Sequence, residues 1–200
     1  GSGESVSGNP YRWQLYKLVD GDWYELPLGA VPIPLAHYPP GYRYPETYHL
    51  FHGEPKERDE GNVEGYLGGG TYACAAPISR DDETHAAVFE LDAPPLNLQT
   101  PNDAEVERQE ERTVVTSDEL DLEGGAVVRR VEEYNEQEAR RVIPEQVYRS
   151  GYAFLRYSLP FFDEDTDEIA VEGVDTIRLN DGNAVIVYEG QAYEATKLDA

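Results

Sequence analysis

The sequence predicts a mainly β fold, an antiparallel sandwich or jelly-roll barrel with one or two short surface helices. Short runs rich in valine, isoleucine and aromatic residues recur along the 200 residues, with glycine, proline, asparagine or aspartate between them. The runs 184–188 and 192–198 are separated by Glu189, Gly190 and Gln191, and this spacing suits a β-hairpin. The chain has no internal repeat at a fixed period and no alternation of strands with helices. Together these features favour an all-β architecture.

The stretch 174–198 has the clearest strand pattern. Its two polar breaks, 180–183 and 189–191, contain residues that tolerate the positive φ values of tight turns. The breaks predict a meander of three strands, with 184–188 in the middle. Because that middle run is apolar on both faces, we expect it to be covered from two sides and buried.

The remaining chain is interpreted as one β-rich domain over 11–200, preceded by a flexible arm over 1–10 that is rich in glycine and serine. A hairpin is predicted around Asp20-Gly21-Asp22, with a strand on each side. Further strands are predicted at 47–52, 65–78, 85–91, 113–116, 126–131 and 145–159.

Two segments are predicted to be helical. The first is 104–112, because Thr100 can cap a helix and Pro101 suits its first turn. It has almost no apolar face, so we expect it on the surface. The second is 132–141, which ends before Pro144.

The segment from Leu26 to Tyr48 combines many prolines with exposed-looking aromatic residues. Prolines cannot donate to a central ladder, so an edge strand or surface loop is expected. Tyrosine provides a large contact area, and we interpret Tyr38, Tyr42 and Tyr44 as subunit-contact residues. The alternative is that the segment packs back onto its own sheet as part of the core.

Cys74 is the single cysteine, so no disulfide can form within the chain. It lies in an apolar run that is typical of a strand. Two interpretations stay open: a buried, unreactive thiol, and a subunit contact through an intermolecular disulfide.

The candidate metal ligands are Asp163, Asp165 and Asp167, whose spacing resembles the start of a calcium loop. Glu168 and Val174 stand where an EF-hand needs Gly and Glu, so weak binding of Ca²⁺, Mg²⁺ or Na⁺ is the most that the spacing predicts. The histidines His49 and His52 are three residues apart in a predicted strand and therefore point to opposite faces. No resident cofactor and no catalytic motif is expected, and an enzyme is disfavoured.

The charge is strongly acidic. Forty Asp and Glu oppose sixteen basic residues, of which three are lysine, and the formal net charge is −24. Such a surface repels itself at low salt and is screened at molar salt. A nucleic-acid partner is not expected, because the chain has no basic stripe for a phosphate backbone. No apolar run approaches the length of a membrane span.

This composition resembles that of proteins from halophiles that accumulate salt, above all haloarchaea. With its size, strand content and single cysteine, the chain is similar to the small vertical single jelly-roll capsid proteins of tailless haloarchaeal viruses. The resemblance implies a self-assembling capsid subunit, located in an extracellular virion and assembled in a high-salt cytoplasm. Its partners would be copies of itself or other virion proteins.

Two alternatives belong to other classes. One is a secreted or cell-surface β-sandwich of a halophile that binds carbohydrate or protein, for which Trp13, Trp23 and Tyr24 are candidate contact residues. The other is a β-barrel enzyme of the cupin type. Its histidine-rich metal motif is missing, so it ranks third.

Overall fold

The computed structural model describes residues 6–8, 13–28, 36–38, 47–77, 84–109, 112–149, 151–176, 179 and 182–198. The chain forms two compact units, Gly1–Leu96 and Asn97–Ala200. The sequence predicted one β-rich domain over 11–200, and the structure places two units there. Residues 6–8 of the predicted flexible arm pair as a strand, and the rest of the arm lies outside the described residues.

The first unit contains eight described strands. They are β1 (Val6–Gly8), β2 (Gln14–Val19), β3 (Asp22–Leu26), β4 (Ala36–Tyr38), β5 (Tyr48–Leu50), β6 (Asn62–Glu64), β7 (Gly70–Pro77) and β8 (Thr84–Leu91). Four of them form an antiparallel sheet in the order β3-β2-β7-β8. Strand β1 pairs with β4 in the antiparallel sense, and β5 pairs with β6 in the parallel sense.

The predicted hairpin at Asp20-Gly21 is confirmed. Asp20 has φ 51° and Gly21 has φ 93°, so both turn residues adopt the left-handed conformation of a two-residue turn. The turn sets the register of β2 against β3 and places Leu15 opposite Leu26. Both side chains are buried, so this face of the sheet is the core face of the first unit.

The second unit is built around a mixed seven-stranded sheet. Its elements are β9 (Ala104–Arg108), β10 (Thr113–Ser117), β11 (Gly125–Val131), β12 (Arg140–Arg141), α1 (Pro144–Val147), α2 (Ala153–Arg156), a 3-10 helix (Leu159–Phe161), β13 (Glu168–Glu172), β14 (Asn183–Tyr188) and β15 (Gln191–Lys197). The strand order is β12-β14-β15-β11-β13-β10-β9. The pairs β10–β13 and β12–β14 are parallel, and the other pairs of this sheet are antiparallel.

One face of this sheet carries the core of the second unit. Val128 opposes both Ile169 and Ala195, and all three are fully buried. Phe154 and Leu155 of α2 belong to the same buried cluster. Burial of such a side chain contributes about 1.5–3 kcal/mol relative to its exposure. The hydrophobic effect therefore holds α2 against this face.

The fold class is confirmed as mainly β, with several sheets and two short helices. Both predicted helix positions are wrong, however. Residues 104–108 form strand β9, and 132–141 contains turns and the short strand β12. The helices, Pro144–Val147 and Ala153–Arg156, lie almost entirely within 145–159, which was predicted as a strand, and both bury side chains.

The predicted meander is confirmed for two of its three strands. β14 and β15 form the hairpin, with Glu189 at φ 49° and Gly190 at φ 83° in its turn. Residues 174–176 are not in a strand, and the second neighbour of β14 is β12. In the described part of the chain, no helix is long and apolar enough to cross a membrane.

Candidate functional site

His49 and His52 each place a ring nitrogen within hydrogen-bonding distance of a backbone carbonyl oxygen. His49 Nε2 lies 3.0 Å from the carbonyl oxygen of Glu60, and His52 Nδ1 lies 3.0 Å from that of Leu67. These contacts fasten the charged loop 53–61 and the segment before β7. Among the residues that the structure describes, no three His, Cys, Asp or Glu side chains form a group that could hold a metal ion.

The acidic loop of Asp163, Asp165 and Asp167 is organised by hydrogen bonds. Asp163 Oδ1 accepts from the Thr166 hydroxyl at 2.7 Å and from the Asp165 backbone amide at 3.1 Å. Asp163 Oδ2 pairs with the Arg108 guanidinium at 2.9 Å. These donors, first of all Thr166, lower the pKa of Asp163. The three side chains are exposed, and ion binding at this loop stays a prediction.

The structure describes the predicted subunit-contact residues to different extents. Tyr42 and Tyr44 lie outside the described residues, and Tyr38 is described only as backbone of β4. Cys74 lies in β7, opposite Leu15 on one side and Ala87 on the other. Its half-buried side chain lines an apolar cavity of about 210 Å³ together with Leu15 and Phe89. The thiol therefore faces the core side of the first sheet.

The opposite face of this sheet has exposed side chains at its two edges, whereas Ala73 in its middle is buried. Directly opposed residues of antiparallel strands share a face, and Val88 opposes Ala73, which opposes Tyr16. Trp23, opposite Leu18, lies on the same face at the other edge. Val88 is 63% exposed and Trp23 is 46% exposed. Tyr24 opposes Lys17 and so lies on the other face, which means that Trp23 and Tyr24 cannot form one aromatic surface.

Strand β8 is the outer edge of the sheet. Beyond β7 it pairs with no other strand among the described residues. Ala86, Ala87 and Val88 are all exposed, although they are apolar and belong to both faces of the strand. The run 86–89 carries no charge. Natural proteins usually protect an edge of this length with charged side chains, proline or a covering element, because unpaired backbone groups invite another strand.

Strand β9, at an edge of the second sheet, shows such protection. Val106 is 44% exposed there, but it stands between Glu105 and Glu107, and Arg108 follows. Like-charged edges of two chains would repel each other if they paired. The two edges therefore differ in charge: the run 86–89 of β8 carries none, whereas β9 carries Glu105, Glu107 and Arg108.

A partly buried polar network in the second unit joins one carboxylate and two hydroxyl groups. Asp103 Oδ2 accepts hydrogen bonds from the Ser117 hydroxyl and, at 2.6 Å, from the Tyr157 phenol. Burial opposes the charge on Asp103, but the two hydrogen bonds and the positive charge of Arg156 outweigh it, so the pKa of Asp103 is lowered. A carboxylate with a lowered pKa is a poor proton acceptor. The two hydrogen bonds connect Asp103, just before β9, with β10 and with the residue that follows α2.

Comparison with protein-family models, with curated proteins and with solved structures finds no match. The site must therefore be argued from its own geometry. The exposed edge of β8 was not found by the sequence reasoning, which predicted the strand but not its neighbours. The absence of any charge in 86–89 of so acidic a chain was the available signal.

Proposed function

We propose that the chain is a structural subunit that assembles with copies of itself, as a capsid protein of a halophilic archaeal virus does. The observation that carries the proposal is the run 86–89 of strand β8, an uncharged stretch of edge strand whose Ala86, Ala87 and Val88 are exposed, in a chain of net charge −24. Two copies repel each other over most of their surface, and this repulsion is smallest where neither carries a carboxylate. Pairing of β8 with a second copy would bury its exposed valine and alanine side chains and satisfy its outer backbone groups.

High salt favours the same contact. The screening length falls from about 10 Å at 0.1 M salt to about 3 Å at 1 M, so the repulsion between acidic copies weakens. The apolar contact between them is not weakened in this way, since it depends on removal of surface from water. The acidic composition supports the setting in a salt-accumulating halophile, and the mainly β fold is compatible with a coat protein.

The test is light scattering at molar NaCl of the unchanged full chain and of two variants. Each variant carries one added negative charge, either on the β8 edge or on the β9 edge. Val88→Glu is expected to dissociate the assembly, because two added carboxylates would face each other across the paired edges. Val106→Glu is the matched control, since it adds the same charge to the edge that is already protected. A monodisperse monomer of the unchanged chain, or an equal effect of both substitutions, would contradict the proposal.

Electron microscopy of the same samples tests the viral setting. Ring-shaped or shell-forming oligomers are expected from a capsid subunit. A closed dimer that grows no further would leave self-association intact but would overturn the capsid assignment.

A second candidate function is a binding module, secreted or at the cell surface of a halophile. The observation that favours it is a cleft in the second unit, whose lining combines tyrosine, amide and carboxylate side chains. This combination is typical of sites in which a few polar groups orient a ligand and the rest is apolar.

A further inference from the structure

The cleft in the second unit has a volume of about 380 Å³. Small-molecule sites occupy roughly 300–1,000 Å³, so this cleft is at the lower end and suits a single ring with its substituents. Three parts of the chain line it: the segment of Asn97 and Leu98, the 3-10 helix with Leu159 and Pro160, and the β14–β15 hairpin. None of them belongs to the acidic loop or to the proposed assembly edge.

One side of the cleft is formed by Asn97 and Leu98, and Tyr148 holds this segment in place. The Tyr148 phenol donates a hydrogen bond of 3.2 Å to the carbonyl oxygen of Asn97 and accepts one of 2.9 Å from the backbone amide of Gln99. The Arg156 guanidinium lies 5.5 Å from the centre of the Tyr148 ring. These contacts fix an otherwise irregular segment, so the cleft is formed before any ligand arrives.

The hairpin wall contains an unusual turn residue. Glu189 has φ 49°, a left-handed conformation that Asn, Asp and Gly adopt with less strain than other residues. The equivalent turn between β2 and β3 uses Asp20 and Gly21, which follow this preference. Glutamate at 189 is therefore not the choice that the turn alone would favour, and Glu189 is one of the residues that line the cleft. Strained residues of this kind are found preferentially at functional positions.

The polar groups of the hairpin suit hydroxyl ligands. Gln191 Nε2 donates to the carbonyl oxygens of Val131, at 3.2 Å, and Ala192, at 3.0 Å, so the amide is anchored through its nitrogen. Its Oε1 is left to act as an acceptor. The Tyr188 and Tyr193 side chains also line the cleft. Carboxylate and amide oxygens accept from hydroxyl groups, and phenols can donate or accept.

The charge of the cleft excludes one ligand class. Burial, followed by the negative charge of Glu189 and the hydrogen bond to it, raises the pKa of Tyr188, so its phenol keeps the proton that it donates to the Glu189 carboxylate. The carboxylate that causes part of this shift would repel an anionic ligand. A neutral ligand with several hydroxyl groups fits both facts.

We propose that this cleft binds one pyranose residue of a neutral saccharide. Sugar hydroxyls donate to the Glu189 carboxylate and to Gln191 Oε1. The less polar side of the ring packs against Leu159, Pro160 and the tyrosine rings. The proposal rests on the second candidate function, the binding module, and is independent of assembly through β8.

The experiment is a titration of the full chain at molar KCl with the methyl glycosides of glucose, galactose and mannose, followed by tyrosine fluorescence and calorimetry. At least one glycoside is expected to bind saturably with one site per chain. Glu189→Gln is expected to weaken that binding about tenfold or more, because a charge-assisted hydrogen bond is replaced by a neutral one. Glu194→Gln is the matched control: the same charge is removed from the same hairpin, on the sheet face opposite to Tyr193.

A second variant separates ligand binding from the turn itself. Glu189→Asn should raise the melting temperature, since asparagine favours this turn conformation, and should abolish glycoside binding. No saturable binding of any of the three glycosides, equal weakening by the control, or a lower melting temperature of Glu189→Asn would overturn the proposal. Val88→Glu should bind the glycoside as the unchanged chain does, so a failure of assembly and a failure of this site are distinguishable.

Discussion

The Tyr157 phenol donates a hydrogen bond of 2.6 Å to the Asp103 carboxylate, although the two residues are 54 positions apart. Asp103 directly precedes strand β9, and Tyr157 directly follows helix α2. The bond therefore joins the polar edge of the second sheet to the helix that packs on its core face.

Tyr157→Phe tests this connection. Tyr157 is 2% exposed. Loss of its phenol hydroxyl leaves the Ser117 hydroxyl as the remaining side-chain hydrogen-bond donor to the Asp103 carboxylate. Removal of a hydrogen bond to a charged group costs about 1.5–3 kcal/mol. Urea unfolding at fixed molar KCl should show this loss in the free energy of unfolding with an unchanged slope. Tyr134→Phe, at an exposed tyrosine, is the control and should change stability by less than about 0.5 kcal/mol.

The same network predicts a dependence on pH. Hydrogen bonds lower the pKa of Asp103 in the folded chain below its unfolded value of about 3.9. The unfolded state therefore binds the proton first, and the stabilisation is fully present above that value and is lost as the pH falls through the lower, folded pKa. The difference in stability between the unchanged chain and Asp103→Asn should be constant near neutrality and shrink below about pH 4. A difference that does not change between neutrality and strong acid would rule out this role.

Stability is also expected to depend on salt. With a net charge of −24 and three lysines, the folded chain concentrates repulsion that the expanded chain relieves. Circular dichroism should show the melting temperature rising as KCl increases from millimolar to molar concentration. Sucrose at matched osmolarity is the control for general solute effects. A melting temperature that is insensitive to KCl would contradict the halophile assignment.

Cys74→Ser is expected to preserve the fold. The thiol is half-buried beside apolar side chains, and a hydroxyl placed there costs about 1–3 kcal/mol when it lacks a good acceptor. Urea unfolding of the variant measures this cost. Because the thiol faces the core side of the sheet, we expect no disulfide between copies. A reductant-sensitive dimer on gels of the native assembly would show that the intermolecular interpretation is the correct one.

The local features of the fold could be predicted from the sequence. Asp20-Gly21 favours a two-residue turn whatever surrounds it, Gly190 supplies one turn-favouring residue of the second hairpin, and both hairpins are present. The apolar strands β8, β10 and β11 were predicted close to their observed bounds, whereas β7 begins five residues later than predicted. Short-range turn geometry and side-chain alternation are properties of the local chain, which is why they can be read without the fold.

The helices could not be predicted in this way. Helices α1 and α2 span four residues each, too few to show a helical period, and their aromatic and aliphatic side chains suggested a strand. Strand β9 is almost entirely polar and follows a good helix-capping sequence, yet it pairs along its length with β10. In both places the partner elements decided the outcome, because packing and ladder hydrogen bonds outweigh weak local preferences.

The sequence by itself determined the strand-rich class, the two hairpins and the strongly acidic charge of the chain. Tertiary structure alone decided which apolar strand stays uncovered and which polar groups meet in one cleft. Strand β8 resembles a buried strand in sequence, but its place at the end of the order β3-β2-β7-β8 exposes Val88. Asn97 and Glu189 are far apart in sequence and line the same cleft. Exposure and proximity depend on contacts between distant segments, and a local pattern carries no information about them.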